Sequence, residues 1–441
     1  MRWLEANVGG VVRSIDRQAR WRPVWIADVD HDGQLIEVMV RGERSDTLLT
    51  FPLEHEMRLQ QLLGEREVPV ARVYGWIEEP RAYVMARIPG RPDFAGCTDE
   101  ERDAVVDEYV EALAHLHSLD IGPFVVAGIA RADTSAASGL LGMARMEATY
   151  RAQKRHPDPF LEFGLSWFHR HHPDSGGREA PIVWDSGQFH HHNAHLAALM
   201  DLELGHIGDP MMDLAGWRMR DSVLGFGDFN RLYERYANLT GRPVDLDAIQ
   251  LHHIAFTLSN ELAFSHTLRG PSPGADLTTN MQWCNETNLY ATEAIAEYLG
   301  LELPTAEMPE PTRTPSALAH DHLVHLLRSI ESEDEFVRYE LRGAFRLARH
   351  LQRVDEIGAA ILDADLDDLH RLLDHRPDSW LDGEAELEQF VLADREAGHH
   401  DETLLALFHR RNLRAQMLNG PAGSAMSRHN PLQPFARREH G

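Results

Sequence analysis

The amino-acid sequence predicts an α+β protein with a small β-rich N-terminal lobe, a helical second lobe and an all-α C-terminal module. Residues 20–40 alternate apolar and polar side chains on both sides of an Asp32-Gly33 turn, as strands do. Residues 218–300 repeat apolar side chains at intervals of three and four, as amphipathic helices do. A proline-rich stretch then precedes a last region in which every periodic pattern is helical.

The N-terminal lobe is predicted over residues 1–90. Its first strands are the run WRPVWIADV and the segment 35–40, which leads directly into Arg41. A helix is predicted over 51–63 and a further strand over 82–90. The lobe is therefore a sheet with one helix.

The second lobe is predicted over residues 91–302. The run Thr98-Asp99-Glu100-Glu101 is a capping-box pattern, so a helix should begin there. Amphipathic helices are also predicted over 246–263 and 289–299, from their apolar periodicity. The second lobe is therefore expected to be mainly helical.

The C-terminal part is predicted to begin with an extended linker, 303–316, which contains four prolines. Few contacts are expected between the regions before and after such a linker, so a chain ending near Pro304 should still fold. The helices expected after the linker are 318–330, 336–354, 365–373, 384–393 and 402–418. The tail, 420–441, is predicted to be disordered.

Length and composition limit the possible functions. The chain has 441 residues, so two or three compact units are expected. Its net charge of −27 argues against nucleic acid or an anionic membrane as a partner, although an acidic cleft could favour a cationic substrate. Two cysteines fit a reducing compartment. Without a signal-peptide pattern or a long apolar run, the sequence predicts a soluble cytoplasmic protein.

The most informative stretch is IVWDSGQFHHHNAHLAALMDLELGHIGDPMMDLAGW, residues 182–217. It predicts a loop over 185–188, a β-hairpin that turns near Asn193-Ala194, and a strand that ends in Asp201 and Glu203. A Gly-Asp-Pro turn and a helix follow. Phosphoryl transfer uses such a layout, because one carboxylate orients the acceptor hydroxyl and another holds Mg²⁺ on the phosphates.

Three motifs in this stretch carry a resemblance to a known family. They are Asp201-Leu202-Glu203, Gly208-Asp209-Pro210 and Asp213-Leu214-Ala215. In this order they resemble the second lobe of the aminoglycoside phosphotransferase and choline kinase family, a branch of the protein-kinase-like fold. The resemblance implies a two-lobe phosphotransferase fold, ATP and Mg²⁺ as cofactors, and a small-molecule hydroxyl as the acceptor.

The loop before the hairpin departs from the family pattern. It lacks the usual His-Gly-Asp and is about two residues short, so two alignments compete for the metal-binding Asn of the family. Asn193 leaves too few residues before Asp201 for two strands and a turn, whereas Gln188 leaves enough. We therefore predict that Gln188 assists Asp201 in binding Mg²⁺. Asp185 is then the nearest candidate for the carboxylate that orients or deprotonates the acceptor.

Arginine takes the place of lysine in the predicted nucleotide site. Lys154 is the only lysine in the chain, and the family places a phosphate-binding lysine on the third strand with a glutamate on the following helix. Arg41 and Glu56 occupy these positions. Since a guanidinium binds phosphate through its fork, we predict that Arg41 holds phosphate and that Glu56 positions it. The alternative is an ordinary exposed pair.

Two further segments resemble parts of the nucleotide site. Residues 82–90 are similar to the hinge strand that joins the lobes and touches adenine. Residues 20–33 hold the place of the nucleotide loop, with its turn at Asp32-Gly33, but lack the glycines that let backbone amides approach a phosphate. Of the remaining acidic residues, Glu203 and Asp213 are expected to organise the site, and Asp209 to cap a helix.

The histidines suggest an alternative metal site. On a strand, His190 and His192 share one face and could converge on zinc, but no cysteine accompanies them. A polar hairpin is the simpler interpretation. His252-His253 and His399-His400 are expected at the surface.

The sequence therefore predicts an ATP-dependent kinase of a small molecule that carries a hydroxyl group. Its catalytic residue is Asp185, its metal ligands are Asp201 and Gln188, and Arg41 and Glu56 bind the nucleotide. One alternative is a pseudokinase that binds a nucleotide or metabolite without catalysis. Another is a scaffold in which the C-terminal helices do the work, and those helices could also form a homodimer.

Overall fold

The structure is a computed structural model, and it describes residues 1–44, 49–271, 275–419 and 430–435. Its contacts divide the chain into two compact units. Unit 1 comprises Met1–Met146, Pro173–His253 and Pro431–Gly441, and unit 2 comprises Glu147–His172 and Ile254–Asn430. This division differs from the boundaries expected at residues 90, 302 and 316, which stay predictions.

Within the described residues, the strands all belong to unit 1. They are β1 (Val11–Arg17), β2 (Val24–His31), β3 (Gln34–Gly42), β4 (Val73–Ile77), β5 (Ala82–Ala86), β6 (Ala180–Ile182), β7 (Phe189–His192), β8 (His195–Leu199) and β9 (His206–Gly208). The first five form one antiparallel sheet in the order β1-β2-β3-β5-β4. Strand β6 pairs with β9, and β7 pairs with β8.

Helices make up most of the remaining chain. They are α1 (Arg2–Leu4), α2 (Leu53–Gly64), α3 (Asp99–Ser118), α4 (Gly122–Val126), α5 (Leu141–Gln153), α6 (Pro159–His171), α7 (Pro210–Leu224), α8 (Phe229–Thr240), α9 (Leu246–Arg269), α10 (Leu277–Leu299), α11 (Ala317–Ser329), α12 (Glu335–Leu373), α13 (Trp380–Asp394) and α14 (Asp401–Asn419). A β-rich N-terminal region followed by helices confirms the predicted α+β class. Among the described residues, no helix combines the length and apolar composition needed to cross a bilayer.

The two faces of the five-stranded sheet have different roles, because successive side chains of a strand point to opposite sides. Val38 and Val40 of β3 join a cluster that includes Leu4 of α1. The intervening Met39 packs instead with Leu53 and Met57 of α2. Alternation thus turns the end of β3, where Arg41 follows Val40, towards α2.

The link between β1 and β2 differs from the predicted nucleotide loop. Residues 24–31 are strand β2, and Asp32-Gly33 is only the tight turn between β2 and β3. The segment 18–23 joins β1 to β2, and the Pro23 carbonyl accepts a hydrogen bond from Gly42 N at 2.8 Å. This bond holds the end of the segment beside the end of β3.

The hairpin β7–β8 confirms the predicted turn. His192 pairs with His195, and the two residues between them, Asn193 and Ala194, have φ values of 52° and 60°. A two-residue turn with positive φ at both positions matches the twist of its strands, and asparagine favours it. At the base of the hairpin, Met200 N donates to the Gln188 carbonyl at 2.9 Å.

Helix starts follow the predicted capping signals. Thr98 caps α3 through a reciprocal capping box with Glu101. Asp209 caps α7, since its side chain accepts a hydrogen bond from Met211 N at 3.0 Å. Both predictions are confirmed.

Three local predictions are wrong. Glu203 lies in a 3₁₀ turn, Leu202–Leu204, and not at a strand end. His252 and His253 are buried within α9, because they fall on its apolar face. The helices expected at 336–354 and 365–373 form one helix, α12, since Ile357 and Ile361 in the intervening residues are buried one turn apart.

In unit 2, α13 and α14 pack on α6 and α10. The Phe408 ring of α14 stacks on Phe163 of α6, with ring centroids 5.2 Å apart. Asn412 Nδ2 donates to the Asn288 carbonyl of α10 at 2.9 Å. Lys154 lies between Glu162 and Glu388 and pairs with both at 2.5 Å. Few contacts were expected to cross the 303–316 linker, and this packing contradicts that expectation, because removing residues after 304 would uncover α6 and α10.

The end of the chain also differs from the predicted disordered tail. Residues 420–429 and 436–441 lie outside the described residues, but 430–435 are described. Gln433 Nε2 donates to Asp221 Oδ2 at 2.7 Å, and the Arg218 guanidinium lies over the Phe435 ring at 4.0 Å. Polar and aromatic side chains therefore attach this segment to unit 1.

We predict that Phe408→Ala lowers the free energy of unfolding by about 3–5 kcal/mol, the usual cost of deleting a buried phenylalanine ring. Phe408 is 1% exposed. The measurement is urea denaturation of the full chain. Leu381→Ala in α13 is the control, because Leu381 is 69% exposed and should change stability by no more than about 0.5 kcal/mol. Equal stabilities of the two variants would contradict the packing of α14.

Candidate active site

The site in unit 1 is centred on a buried cluster of charges at the end of β3. Arg41 Nε lies 3.0 Å from Glu56 Oε1 of α2, and its Nη2 lies 2.7 Å from Asp201 Oδ1. The Arg41 side chain is 10% exposed and that of Glu56 is 3% exposed. The structure thus brings together three of the five residues singled out from the sequence, and the pair is not the exposed one of the alternative interpretation.

The local fold explains why these side chains meet. Arg41 pairs with Tyr83 of β5 in the sheet register, and both side chains face α2. The Tyr83 hydroxyl lies 3.1 Å from Glu56 Oε1 and from Gln60 Oε1, one helical turn further along α2. Tyr83 therefore orients the carboxylate that receives Arg41.

A second arginine, Arg22, joins the cluster from the segment between β1 and β2. Its Nη2 donates to Glu203 Oε2, and its Nη1 lies 3.9 Å from Glu56 Oε2. Arg41 Nη2 is 3.7 Å from the same Glu203 oxygen. The cluster thus contains two arginines and three carboxylates, of which sequence reasoning missed Arg22 because its segment has no recognisable phosphate-binding pattern.

Burial and charge act in opposite directions on the pKa values of this cluster. Burial raises the pKa of Glu56, although Arg41 and Arg22 oppose this. Burial also raises the pKa of Asp201, but the positive charges of Arg41 and Arg22 outweigh it and lower that pKa to about 2. Burial lowers the pKa of Arg41, and the carboxylates of Glu56 and Asp201 raise it well above its usual value. Asp201 and Arg41 are therefore both charged at neutral pH.

Asp185 lies in the loop after β6 and is held at both carboxylate oxygens. Arg220 Nη2 donates to Oδ1 at 2.6 Å, and Gln188 Nε2 donates to Oδ2 at 2.7 Å. Burial raises the pKa of Asp185 to about 6, and the nearby charge of Asp201 adds to this while Arg220 opposes it. Sequence reasoning missed Arg220, although its spacing is a usable signal: it lies seven residues after Asp213 and so on the same face of α7.

The backbone just before Asp185 is held by hydrogen bonds to the side chain of Asp213, which is fully buried. Its carboxylate accepts hydrogen bonds from Val183 N at 3.1 Å and Trp184 N at 2.6 Å, and it lies 3.0 Å from His117 Nε2. Trp184 has a φ of 58°, which a bulky residue adopts only when its surroundings hold it there. The Asp213 carboxylate thus supports the bend that precedes Asp185.

The structure places Gln188 and Asn193, the residues selected by the two alignments of the loop, at opposite ends of the β7–β8 hairpin. Gln188 lies at the base of the β7–β8 hairpin, where its carbonyl accepts the hydrogen bond from Met200 N, the residue before Asp201. Asn193 lies at the tip of the hairpin, at the far end of its strands. This arrangement fits the choice of Gln188, whose role as a metal ligand stays a prediction.

The oxygen atoms at the site fit a hard divalent cation. Asp201 uses Oδ1 for Arg41, and Oδ2 has no hydrogen-bond partner among the described residues. The Gln188 amide nitrogen faces Asp185, so its Oε1 points away from that carboxylate. Mg²⁺ prefers oxygen ligands and is usually bound by one or two protein groups together with phosphates. Within the described residues, no group of three or more His, Cys, Asp or Glu side chains is arranged to hold a metal, and this includes the run at His190.

A β-rich N-terminal region, a mainly helical remainder and a buried cluster of charges within unit 1 are together the features of the two-lobe phosphotransferase class. Comparison with known proteins gives the family. The model of the phosphotransferase enzyme family (APH) matches residues 31–251, half of the chain. The chain belongs to this family, as its Asp-Leu-Glu, Gly-Asp-Pro and Asp-Leu-Ala motifs predicted.

Curated relatives match only over part of the chain. Acyl-CoA dehydrogenase family member 11 of Rattus norvegicus is 32% identical over 141 residues, which are 30% of this chain and 18% of that protein. Acyl-CoA dehydrogenase family member 10 of Mus musculus is 26% identical over 201 residues, which are 41% of this chain and 18% of that protein. The chain spans about a fifth of the length of these relatives.

Solved structures with a similar fold include macrolide 2′-phosphotransferase MphH from Brachybacterium faecium, with 20% identity and a TM-score of 0.42 over 61% of this chain and 92% of that one. Choline kinase LicA from Streptococcus pneumoniae has 14% identity and a TM-score of 0.48, with coverages of 67% and 97%. Aminoglycoside phosphotransferase APH(4)-Ia, in a ternary complex with ADP and hygromycin B, has 14% identity and a TM-score of 0.44, with coverages of 65% and 97%.

We predict that Arg41→Ala lowers the free energy of unfolding by about 3–5 kcal/mol, because it leaves the buried Glu56 carboxylate without its closest positive charge. Urea denaturation measures this loss. The double variant Arg41→Met/Glu56→Gln should recover part of it. Arg87→Ala is the control, since Arg87 pairs with Glu37 in solvent at the other end of the β3–β5 ladder and should cost no more than about 1 kcal/mol. Equal losses in Arg41→Ala and Arg87→Ala would contradict the buried ion pair.

Proposed function

We propose that this protein transfers the γ-phosphoryl group of ATP to a hydroxyl group of a small molecule, with Mg²⁺ as the cofactor. The observation that carries the proposal is the buried contact of Arg41 with both Glu56 and Asp201. It matches the arrangement in which kinases join a phosphate-binding cation, a helical glutamate and a metal-binding aspartate. Membership of the phosphotransferase enzyme family supports the same chemistry.

In this proposal Asp201 Oδ2 and Gln188 Oε1 would hold Mg²⁺. When bound, the cation neutralises charge on the phosphates and orients them for in-line transfer. The low pKa of Asp201, about 2, keeps its carboxylate ionised for this role at neutral pH. Arg41 would turn a guanidinium nitrogen to the phosphates while Glu56 and Tyr83 keep it in place.

Asp185 is the proposed base. The acceptor oxygen would bond to the γ-phosphorus as the bond from that phosphorus to the β–γ bridging oxygen breaks, and the hydroxyl proton would pass to the Asp185 carboxylate. A pKa raised to about 6 suits this step, because a base works best when its pKa is close to the working pH. The acceptor itself, including the expected cationic character, stays a prediction, as do the cytoplasmic location and the homodimer.

The alternative function, nucleotide or metabolite binding without catalysis, rests on a specific observation. Both carboxylate oxygens of Asp185 accept hydrogen bonds, from Arg220 and Gln188. An acceptor hydroxyl would have to displace one of these partners or share an oxygen with it. If this does not happen, the protein binds ATP and transfers nothing.

We predict that Asp201→Asn weakens Mg-ATP binding at least tenfold, about 1.4 kcal/mol, because a neutral amide cannot supply the charge that Mg²⁺ requires. Isothermal titration calorimetry with Mg-ATP measures the affinity. Asp32→Asn is a matched control, since Asp32 has a similar left-handed conformation (φ 52°, against 55° for Asp201) at the opposite end of β3. An unchanged affinity in Asp201→Asn would remove Asp201 from the metal site.

For Asp185 we predict a pH profile of kcat/KM that rises tenfold per pH unit below about pH 6 and is level above it, since only the ionised carboxylate accepts a proton. Arg220→Gln should move the midpoint to higher pH, because the Arg220 charge lowers the pKa of Asp185. The assay is ADP release with ATP and a panel of hydroxyl compounds.

In the same assay, Asp185→Asn should reduce turnover by roughly 10²–10⁴ and leave Mg-ATP affinity unchanged. Full activity of this variant towards a verified acceptor would show that another group is the base. Binding of ATP with no phosphorylated product from any compound would favour the binding protein over the kinase.

A further inference from the structure

The segment between β1 and β2 carries a buried arginine that the chemistry above does not use. Arg22 is 1% exposed, and its Nε and Nη1 have no hydrogen-bond partner, although Nη1 lies within ion-pair distance of Glu56. A buried guanidinium with donors left over is costly unless a further acceptor completes it. The donors belong to the same charged cluster as Arg41.

The position of Arg22 points to the missing acceptor. The bond from Gly42 N to the Pro23 carbonyl holds the residue after Arg22 beside the end of β3, so Arg22 and Arg41 approach Glu203 together. A segment in this position usually binds phosphate through glycine amides, and 18–23 contains no glycine. A guanidinium presents fixed donors that match phosphate oxygens.

We propose that Arg22 is a second phosphate-binding residue, supplied by the β1–β2 segment in place of a glycine-rich loop. This inference rests on the proposed nucleotide site. Arg22 pairs with Glu203 before the nucleotide binds, and on binding it turns Nη1 and Nε to phosphate oxygens. Two arginines then share the charge of the triphosphate, with the carboxylates of Glu56 and Glu203 behind them.

The test is calorimetric titration of the full chain with three probes in the presence of Mg²⁺: ATP, inorganic tripolyphosphate and adenosine. Arg22→Gln should weaken the binding of ATP and of tripolyphosphate at least tenfold and leave the binding of adenosine unchanged, because the substitution removes contacts with phosphate groups only. Arg20→Gln is the matched control, an exposed arginine of the same segment, and should bind all three probes like the parent.

Glu203→Gln separates this role from a merely structural one. If Arg22 only attaches the segment to Glu203, then Glu203→Gln and Arg22→Gln should weaken phosphate binding alike. A phosphate-binding Arg22 predicts instead that Glu203→Gln keeps the affinity for tripolyphosphate or raises it. If Arg22→Gln does not fold, the double variant Arg22→Gln/Glu203→Gln takes its place, because it removes both charges of the pair. This double variant should fold and should bind tripolyphosphate at least tenfold more weakly than the parent chain.

The possible outcomes are distinct. A parent chain that binds neither ATP nor tripolyphosphate would overturn the proposed function. A parent that binds both, with Arg22→Gln or the double variant binding them equally well, would overturn only the role of Arg22. Weakening that is equal for ATP, tripolyphosphate and adenosine would also overturn it, since that pattern indicates a general disturbance of the site.

Discussion

A guanidinium that is withdrawn from water needs carboxylates around it, and this requirement organises the charged region of unit 1. Arg41 reaches Glu56 on α2 and Asp201 after the β7–β8 hairpin. Three separate segments of the chain must therefore be positioned together for Arg41 to have both of its carboxylate partners. The alternation of β3 turns Arg41 towards α2, and the β7–β8 hairpin leads the chain back to Asp201.

The charges of the cluster do not cancel, since two arginines face three carboxylates. The residual negative charge reaches the Asp185 loop, where Asp201 and Glu203 raise the pKa of Asp185. A metal cation is the natural complement of such an excess. Asp185 would then lose some of the negative field that keeps its pKa high, so occupancy of the metal site and ionisation of the base are linked through simple electrostatics.

Local signals in the sequence predicted much of this arrangement. The motifs around Asp201 and Asp213 predicted the family, and spacing alone favoured Gln188 over Asn193. Alternation and capping predicted most elements, because both depend on neighbours in the chain. The roles assigned to the site residues are still predictions, although the structure brings several of them together.

What sequence reasoning missed depends on contacts distant in the chain. Arg22 and Glu203 are 181 positions apart in the sequence, and no local pattern predicts a contact between residues so far apart. Burial of His252 and the packing of Phe408 on α6 were missed for the same reason, since a helix shows which of its faces is apolar but not what covers that face. Helix α12 shows a different kind of error. Two helices were predicted because the apolar pattern weakens between residues 354 and 365, but the helix is continuous there.

The use of arginine at the end of β3 has a consequence for chemical labelling. Lysine amines react with acylating reagents and aldehydes when they lose their proton, whereas an arginine guanidinium keeps its charge throughout the accessible pH range. The only lysine of the chain, Lys154, is engaged by Glu162 and Glu388 in unit 2. The charged cluster of this protein is therefore inert to amine-directed probes, including nucleotide analogues designed to capture a catalytic lysine, and reagents selective for guanidinium groups are the appropriate choice.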